Sequence, residues 1–473
     1  MNSNTKLNLG IVQMTKQFDT IIVGAGISGL GVAAILSKEA GQKVLVVDKF
    51  PDFGGRMMSY DGYPGNGWRV DIGLHAVELG DKSSCHELNA RVGKTVEWGP
   101  FSQTVDIWNG EEFVNIAQLV PMGPEDKKAF RDLLAKISTL TDSEIEEWDN
   151  RSLEEWLVEN VPQQPVRELL TDLGMIMTTI PEAIDMAAGE VLFIARDNLT
   201  KKGQALSATY PIDGMAGITQ GLVDVIKAQG GEVMLGCEVQ EILIKDKKAV
   251  GIRIPSAHHP YPTAYRIFET ESIFAEHVVC ALPIYQLSKI IDFNPETSPM
   301  PSWWLKRIED VKDEVTGLIG YIVGLSEPVF DTEKLSFMSA LKTRHAGYPF
   351  QAFFASNFSR DVAPEGKQLL HSDIVCEHPE ASDKFKREKL LALMWEDLKE
   401  MFPGIEEKTE FKIPYYVDGC DGLARKPGLV GKYKVSLQAP GIPNLFFAGD
   451  TYIGRGLAIN SAARSAMKCA GLI

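Results

Sequence analysis

Thr20-Ile21-Ile22-Val23-Gly24-Ala25-Gly26-Ile27-Ser28-Gly29-Leu30 decides the fold of this chain. Residues 20–23 form a short β-branched run, the pattern of a strand buried on both faces of a parallel sheet. After it Leu30, Ala33, Ala34 and Leu36 supply a small-residue helical face, and Gly41 marks the stop. Val44–Val47 is a second buried run, so strand, glycine turn, helix and strand follow one another as a βαβ unit. Within the turn, Gly24 permits a tight reversal, and Gly26 leaves the backbone bare enough for a pyrophosphate to approach. Gly29 permits close helix–strand packing. The helix start at Ile27 and Ser28 offers free N–H groups and a positive dipole end to that phosphate. Asp48 closes the second strand, close to the ~20-residue spacing of an acid that accepts from ribose hydroxyls. A dinucleotide site follows, but this motif alone does not choose between FAD and NAD.

The rest of the composition narrows the function classes. Asp and Glu number 64 against 48 Lys and Arg, for a net charge of −16 over 473 residues. Such a surface repels nucleic acid and anionic membrane, and no basic cluster reverses it; a nucleic-acid partner is not expected. The six cysteines (Cys85, Cys237, Cys280, Cys376, Cys420, Cys469) include no C-x-x-C pair, which fits reduced thiols better than disulfides or zinc. Residues 1–17 are too polar for a secretory signal and read as a flexible leader, so a cytoplasmic location is expected. No run approaches the ~18 apolar residues of a membrane span, which leaves peripheral membrane contact open. His258-His259 lacks further ligands, and no metal is expected.

Along the chain, residues 80–209 have the texture of charged amphipathic helices, as at 124–137 and 152–161. A helix over 221–230 precedes strands at 232–235 and 239–244, a polar hairpin tip at Lys245-Asp246-Lys247-Lys248, and strands at 249–252 and 277–282. Residues 283–417 hold strands at 315–323, 350–355 and 368–375 and a long helix, Lys384–Met401. A strand at 444–448 and an Ala-rich helix at 456–470 end the chain. The expected fold is α/β, with a discontinuous Rossmann-like domain of residues 18–80, 210–290 and 418–473. Residues 81–209 and 291–417 would form a substrate-binding domain with a mixed sheet and a helical cap.

Asp52-Phe53-Gly54-Gly55-Arg56-Met57-Met58-Ser59 lies just past Asp48, and Val70-Asp71-Ile72-Gly73-Leu74-His75 follows. Phe446-Phe447-Ala448-Gly449-Asp450 stands near the other end. With Tyr210-Pro211-Ile212-Asp213-Gly214-Met215, residues 279–283, Ser356-Asn357 and Ala363-Pro364-Glu365-Gly366-Lys367, these stretches resemble the flavin amine oxidase and phytoene desaturase superfamily over nearly the whole chain. The resemblance implies an FAD cofactor. Gly54, Gly55, Arg56 and Met57 would run along flavin and pyrophosphate, and the stretch ending in His75 would pass beside the isoalloxazine ring. Val239 would meet adenine by its backbone, and Gly449 and Asp450 would hold the ribityl–phosphate part. Gly456 and Leu457 lead into a helix whose N-terminus would face the flavin pyrimidine edge and favour the negative charge of the reduced ring. The chain departs from the pattern at Asp213, which replaces a glycine, and at Asp52, where many relatives are basic; Lys49 is the substitute cation. A further departure is the lack of a lysine at 316–320 to face flavin N5, since Lys312 stands outside that strand.

These features imply a desaturase or dehydrogenase that passes a hydride between a largely apolar, isoprenoid or polyene-like substrate and flavin N5. Alternatives are a flavin amine oxidase, a redox-neutral isomerase using reduced FAD, and a flavin-free lipid-binding relative of the Rab escort type. The missing lysine weakens the first, and the complete set of cofactor residues opposes the last. There is no second glycine fingerprint for NADPH. His75 is the candidate proton donor or acceptor. Tyr452 and Arg455 are candidates to reach the ring or substrate. Trp303-Trp304 reads as packing in the substrate domain, and Gly174-Met175-Ile176-Met177 as an apolar patch serving core or pocket.

Overall fold

The computed structural model describes residues 17–65, 67–73, 76–102, 104–202, 207–256, 270–417, 419–420 and 422–473. His75, the His258-His259 loop and all of the leader but Gln17 lie outside the described residues.

The buried β-branched runs find their cover in a seven-stranded sheet. Its order is Glu241–Lys245, Lys248–Pro255, Thr270–Cys280, Gln17–Val23, Val44–Val47 and Glu232–Met234, with Leu445–Phe447 paired to the end of Thr270–Cys280. Ile22 stands between Val46 and Val279 in a parallel register. The turn between the two antiparallel edge strands has Asp246 and Lys247 both at positive φ (50° and 58°), the primed geometry that matches strand twist.

The helix Ile27–Glu39 is buried from Ile27 through Ser37 and packs on Ala458–Ala470 and Ala216–Ala228. Gly29 makes its seat possible: a Cβ there would stand 2.0 Å from the Gly24 carbonyl oxygen. The helix Ala216–Ala228 begins earlier than its glycines suggest, because burial of Ile218, Leu222, Val225 and Ile226 outweighs the low propensity of Gly217 and Gly221.

A second seven-stranded sheet runs Thr409–Val417, Thr316–Leu325, Gln368–Glu377, Phe350–Phe354, Ser336–Ala340, Thr104–Trp108 and Phe113–Asn115, antiparallel except where Ser336–Ala340 meets Thr104–Trp108. One face packs on the helix Lys384–Met401 through Ile319, Phe354, Leu370 and Ile374 against Met394 and Leu398. The other presents Leu318, Ile322, Phe353 and Leu369 toward the core of the first sheet. A separate helical core joins Pro124–Ser138, Leu153–Asn160, Gln164–Thr178 and Ala188–Lys202, and takes in Met175, Ile176 and Met177. No helix among the described residues is long and apolar enough to cross a membrane.

Trp303 and Trp304 separate. Adjacent positions on a helix point ~100° apart, so in Ser302–Val311 Trp303 is 64% exposed while Trp304 is buried. Trp304 stacks on Phe447 at 5.5 Å between ring centroids. It belongs to the core that both sheets share. Trp304→Ala is expected to cost about 3–5 kcal/mol, measured as a shift of the urea unfolding midpoint; a cost under about 1 kcal/mol would show that the stack is dispensable.

Candidate cofactor and substrate site

Between the two sheets lies a cavity of about 800 Å³, within the ~300–1,000 Å³ range of ligand sites. Gly24, Gly26, Ile27, Ser28, Asp48, Lys49, Gly54, Gly55, Arg56 and Met57 border it, together with Val239, Gly449, Asp450 and Leu457. The two ends of the chain thus share one wall.

Its floor is made of two glycine turns laid together. Gly54 N–H donates to the Ala25 carbonyl at 2.9 Å, and Gly26 bridges to Gly54. Gly55, at φ +62°, comes so close that a Cβ on it would lie 3.3 Å from Gly26 Cα, whereas a Cβ on Gly26 would meet nothing within 4 Å. No side chain caps the helix that Gly26 begins. Its first-turn N–H groups and dipole therefore remain available to an anion over bare backbone. The Asp48 carboxylate accepts from Ala25 N–H at 2.6 Å and Phe50 N–H at 2.9 Å, which holds it at the cavity's edge. Uncapped donors, bare floor and an acid at the strand end fit a dinucleotide.

Arg56 ties the floor to the far end of the chain. Its Nη2 lies 2.6 Å from Asp450 Oδ1, and its Nη1 donates to the carbonyls of Gly419 at 2.7 Å and Cys420 at 3.1 Å. Burial works against the guanidinium's charge, but the Asp450 carboxylate prevails and raises the Arg56 pKa. Lys434 Nζ donates to the carbonyls of Asp450 and Gly454, and Gly449 N–H donates to Ser465 Oγ at 3.0 Å. Asp71 joins two of the quoted motifs in the same way: it accepts from the Ser59 and Tyr210 hydroxyls and from Met215 N–H, while burial pushes its pKa up to about 6.

Four expected site residues stand off the wall. Gly29 serves helix packing. The Tyr452 hydroxyl donates to the Leu282 carbonyl at 2.8 Å, and its ring stacks on Phe447 at 5.2 Å. Arg455 binds Asp149 at 2.6 Å and lies 3.5 Å from Glu190, while Gly456 N–H donates to Glu190 Oε1 at 2.8 Å. Tyr452 and Arg455 are thus engaged by protein partners in the turn, and neither borders the cavity. For Arg455 the physical reason is that Asp149 and Glu190, both buried, require a counter-charge. The final helix starts at Ala458 with Leu457 as an uncapped N-cap; both border the cavity. His75 is not among the described residues, although Gly73 and Ala76 on either side of it line the wall.

Sequence reading missed Glu78, Gln351, His371 and Asp373, all on the wall. Glu78 Oε1 has no hydrogen-bond partner among the described residues. Burial, outweighing the pull of Arg425, pushes the Glu78 pKa up to about 8. Burial likewise pushes His371 down to about 3, which keeps its imidazole neutral. A signal existed: His371 and Asp373 interrupt an apolar strand at the two-residue spacing that puts both on one face.

A dinucleotide floor that faces a second sheet across one cavity defines a flavoprotein oxidoreductase architecture. The chain belongs to the flavin-containing amine oxidoreductase family, whose model matches residues 27–473, and the cofactor of that family is a flavin. Among curated relatives, it is 28% identical over 277 residues to a neurosporene-forming phytoene desaturase of Rhodobacter capsulatus, covering 50% of this chain and 49% of that protein. It is 21% identical over 464 residues to a chloroplastic prolycopene isomerase of Daucus carota, covering 87% of this chain and 71% of that protein. The chain thus spans about half the length of the desaturase it matches. Among solved structures, an oxidoreductase from Methanosarcina mazei superposes with a TM-score of 0.72 at 20% identity, covering 95% of this chain and 99% of that one, which shows a shared fold.

Two tests follow. Arg56→Met strands the Asp450 carboxylate and is expected to cost about 2–4 kcal/mol, below the range for a fully enclosed pair, because Arg56 keeps 33% of its side-chain surface open. Adding Asp450→Asn should recover at least about 1 kcal/mol; strictly additive losses in the double-mutant cycle would mean the pair is uncoupled. The second test concerns pH. Folded Glu78 keeps its proton up to about pH 8, whereas an unfolded glutamate loses it at about 4.3. The folded state binds the extra proton between those values, so this group's contribution to stability declines as pH rises through that window. Glu78→Gln should therefore gain stability relative to the parent on going from pH 5 to pH 9, read as the difference in melting temperature. An unchanged difference refutes the assignment.

Proposed function

We propose that the chain is an FAD-dependent oxidoreductase of the desaturase or dehydrogenase type that acts on a largely apolar organic substrate. The observation that carries this is the single cavity itself. The wall supplied by the nucleotide turns continues into one supplied by the second sheet and helical cap, where Val105, Ile176, Leu318, Phe337 and Phe353 predominate. Asp48 and Val239 support FAD over a mononucleotide, since only FAD carries an adenosine whose ribose needs an acceptor there. When bound, the flavin supplies a hydride acceptor at N5. The chain supplies the rest: the helix start and glycine floor hold the pyrophosphate, Asp48 holds the ribose, and the apolar wall excludes water and orients the substrate. Residues 18–80, 210–290 and 418–473 would make up the FAD domain, with 81–209 and 291–417 forming the substrate domain.

The second sheet contributes no lysine to the wall among the described residues, which supports a desaturase or dehydrogenase over an amine oxidase. A redox-neutral isomerase is the second reading, favoured by the alignment with prolycopene isomerase along 87% of the chain.

Anaerobic titration of the purified yellow protein tests the ranking. Apolar isoprenoids and polyenes are expected to bleach the flavin, and primary amines are not. Bleaching by amines alone would overturn the proposal. Conversion of a polyene without net bleaching, and only after prior reduction of the flavin, would establish the isomerase instead.

A further inference from the structure

Five non-glycine residues among the described ones have positive φ, and two of them, Asp246 and Lys247, belong to the hairpin turn. The other three lie on the cavity wall or beside it: Thr179 and Ala458 border the cavity, and Leu79 follows Glu78, which does. Thr179 is the β-branched one. At φ +61° and ψ 20° its Cβ crowds the backbone, a conformation such residues rarely adopt. It stands just past the helix Gln164–Thr178, at a position where glycine commonly ends a helix. The turn itself does not call for threonine. Thr179 N–H donates to the Met175 carbonyl at 2.8 Å, a main-chain bond that glycine would also make. Ile180 N–H is answered by Thr178 Oγ1 at 3.3 Å. The Thr179 hydroxyl donates to the carbonyl of its neighbour Thr178 at 2.6 Å, so it ties no second element to the turn. What threonine adds is bulk, and it adds it to the wall, one helical turn beyond the wall residue Ile176.

We infer that Thr179 is a specificity-determining residue, whose side chain narrows the cavity beneath the helical cap so that an apolar substrate enters there by an open-chain end and not by a ring. This rests on the apolar-substrate reading above and adds the shape which that reading leaves open. A strained conformation persists only where its surroundings hold it, and such positions cluster at ligand sites. Here the surroundings are stiff. Ile176 is packed into the helical core together with Leu173 and Met177, so the cap cannot withdraw from a wide ligand without disturbing that packing. Overfilling a packed site is costly. An open chain passes a protruding methyl by rotating about its single bonds, whereas a six-membered ring has a fixed girth.

Two isomeric hydrocarbons test this on the purified flavin-loaded protein: open-chain β-farnesene and ring-ended β-bisabolene, titrated by the change in flavin absorbance. The parent is expected to bind β-farnesene roughly ten-fold more tightly. Thr179→Gly should bring the two within about three-fold by tightening β-bisabolene, a gain that damaged folding cannot produce. Thr179→Ser keeps the hydroxyl and drops the methyl, so its preference should fall between those of the parent and the glycine variant. Equal affinity of the two hydrocarbons for the parent would overturn the girth limit. A parent-like preference in Thr179→Gly would overturn its assignment to this residue, and one kept by Thr179→Ser alone would overturn girth in favour of the hydroxyl. A urea midpoint for Thr179→Gly well below the parent's, with both hydrocarbons weakened, would show that threonine serves the turn and not the wall. Failure of both to bind the flavin-loaded parent would remove the apolar-substrate reading, and this inference with it.

Discussion

Asp450 is a carboxylate almost closed off from solvent, and it can keep its charge there only if a cation is delivered to it. The cation comes from Arg56, 394 residues earlier in the chain. Most of the site depends on that pairing. Arg56 is fixed because it also donates to the carbonyls of Gly419 and Cys420. Since Gly55 is next to Arg56, the same contact presses the second glycine turn against Gly26. The cavity floor and the C-terminal turn are therefore one assembly held by one charge pair.

That dependence explains what could be read from the residues in advance. Strongly periodic or wholly apolar segments declare themselves: Val44–Val47 is a strand and Lys384–Met401 a helix with the bounds the pattern suggests. The glycine turns were legible because few side-chain-free solutions exist for seating a helix on its own turn, as the 2.0 Å approach at Gly29 shows. The edge strand Thr409–Val417 was not legible. Its exposure alternates, as expected for a half-wet edge, but Pro414 in its middle argues against a strand to anyone who cannot see that it lies at the sheet's margin. Ser336–Ala340 and Thr104–Trp108 escaped for another reason: they pair with one another across more than two hundred residues, and no local pattern records such a partner.

Side-chain roles were the least legible part. Tyr452 and Arg455 follow Asp450 so closely that proximity in sequence suggested a shared task. Tyr452 is turned by the Leu282 carbonyl and Phe447, and Arg455 by what lies beneath the turn. Asp149 and Glu190, contributed by the helical cap, are buried acids that draw the guanidinium away from the cavity. The cap is thereby locked to the final turn, and Gly456 N–H is committed to Glu190 before the last helix begins. The titratable wall groups that the sequence did not reveal came from elsewhere, from a two-residue strand at Val77–Glu78 and from the inner face of the second sheet.

The location of the cavity follows from the parallel sheet. Each central parallel strand delivers a wall residue just beyond its carboxyl end: Gly24 after Gln17–Val23, Asp48 after Val44–Val47, Ala281 after Thr270–Cys280 and Gly449 after Leu445–Phe447. Helices can cover the faces of such a sheet but not its carboxyl edge, where the turns must reverse, so a crevice opens there. An open crevice would leave apolar wall residues in water. The second sheet removes that cost by laying Leu318, Phe337 and Phe353 across the opening. The same arrangement joins two different tasks in one cavity. The turns of the first sheet offer backbone N–H groups and a carboxylate, which suit a polar anionic ligand. The face of the second offers mostly hydrocarbon, which suits an apolar one.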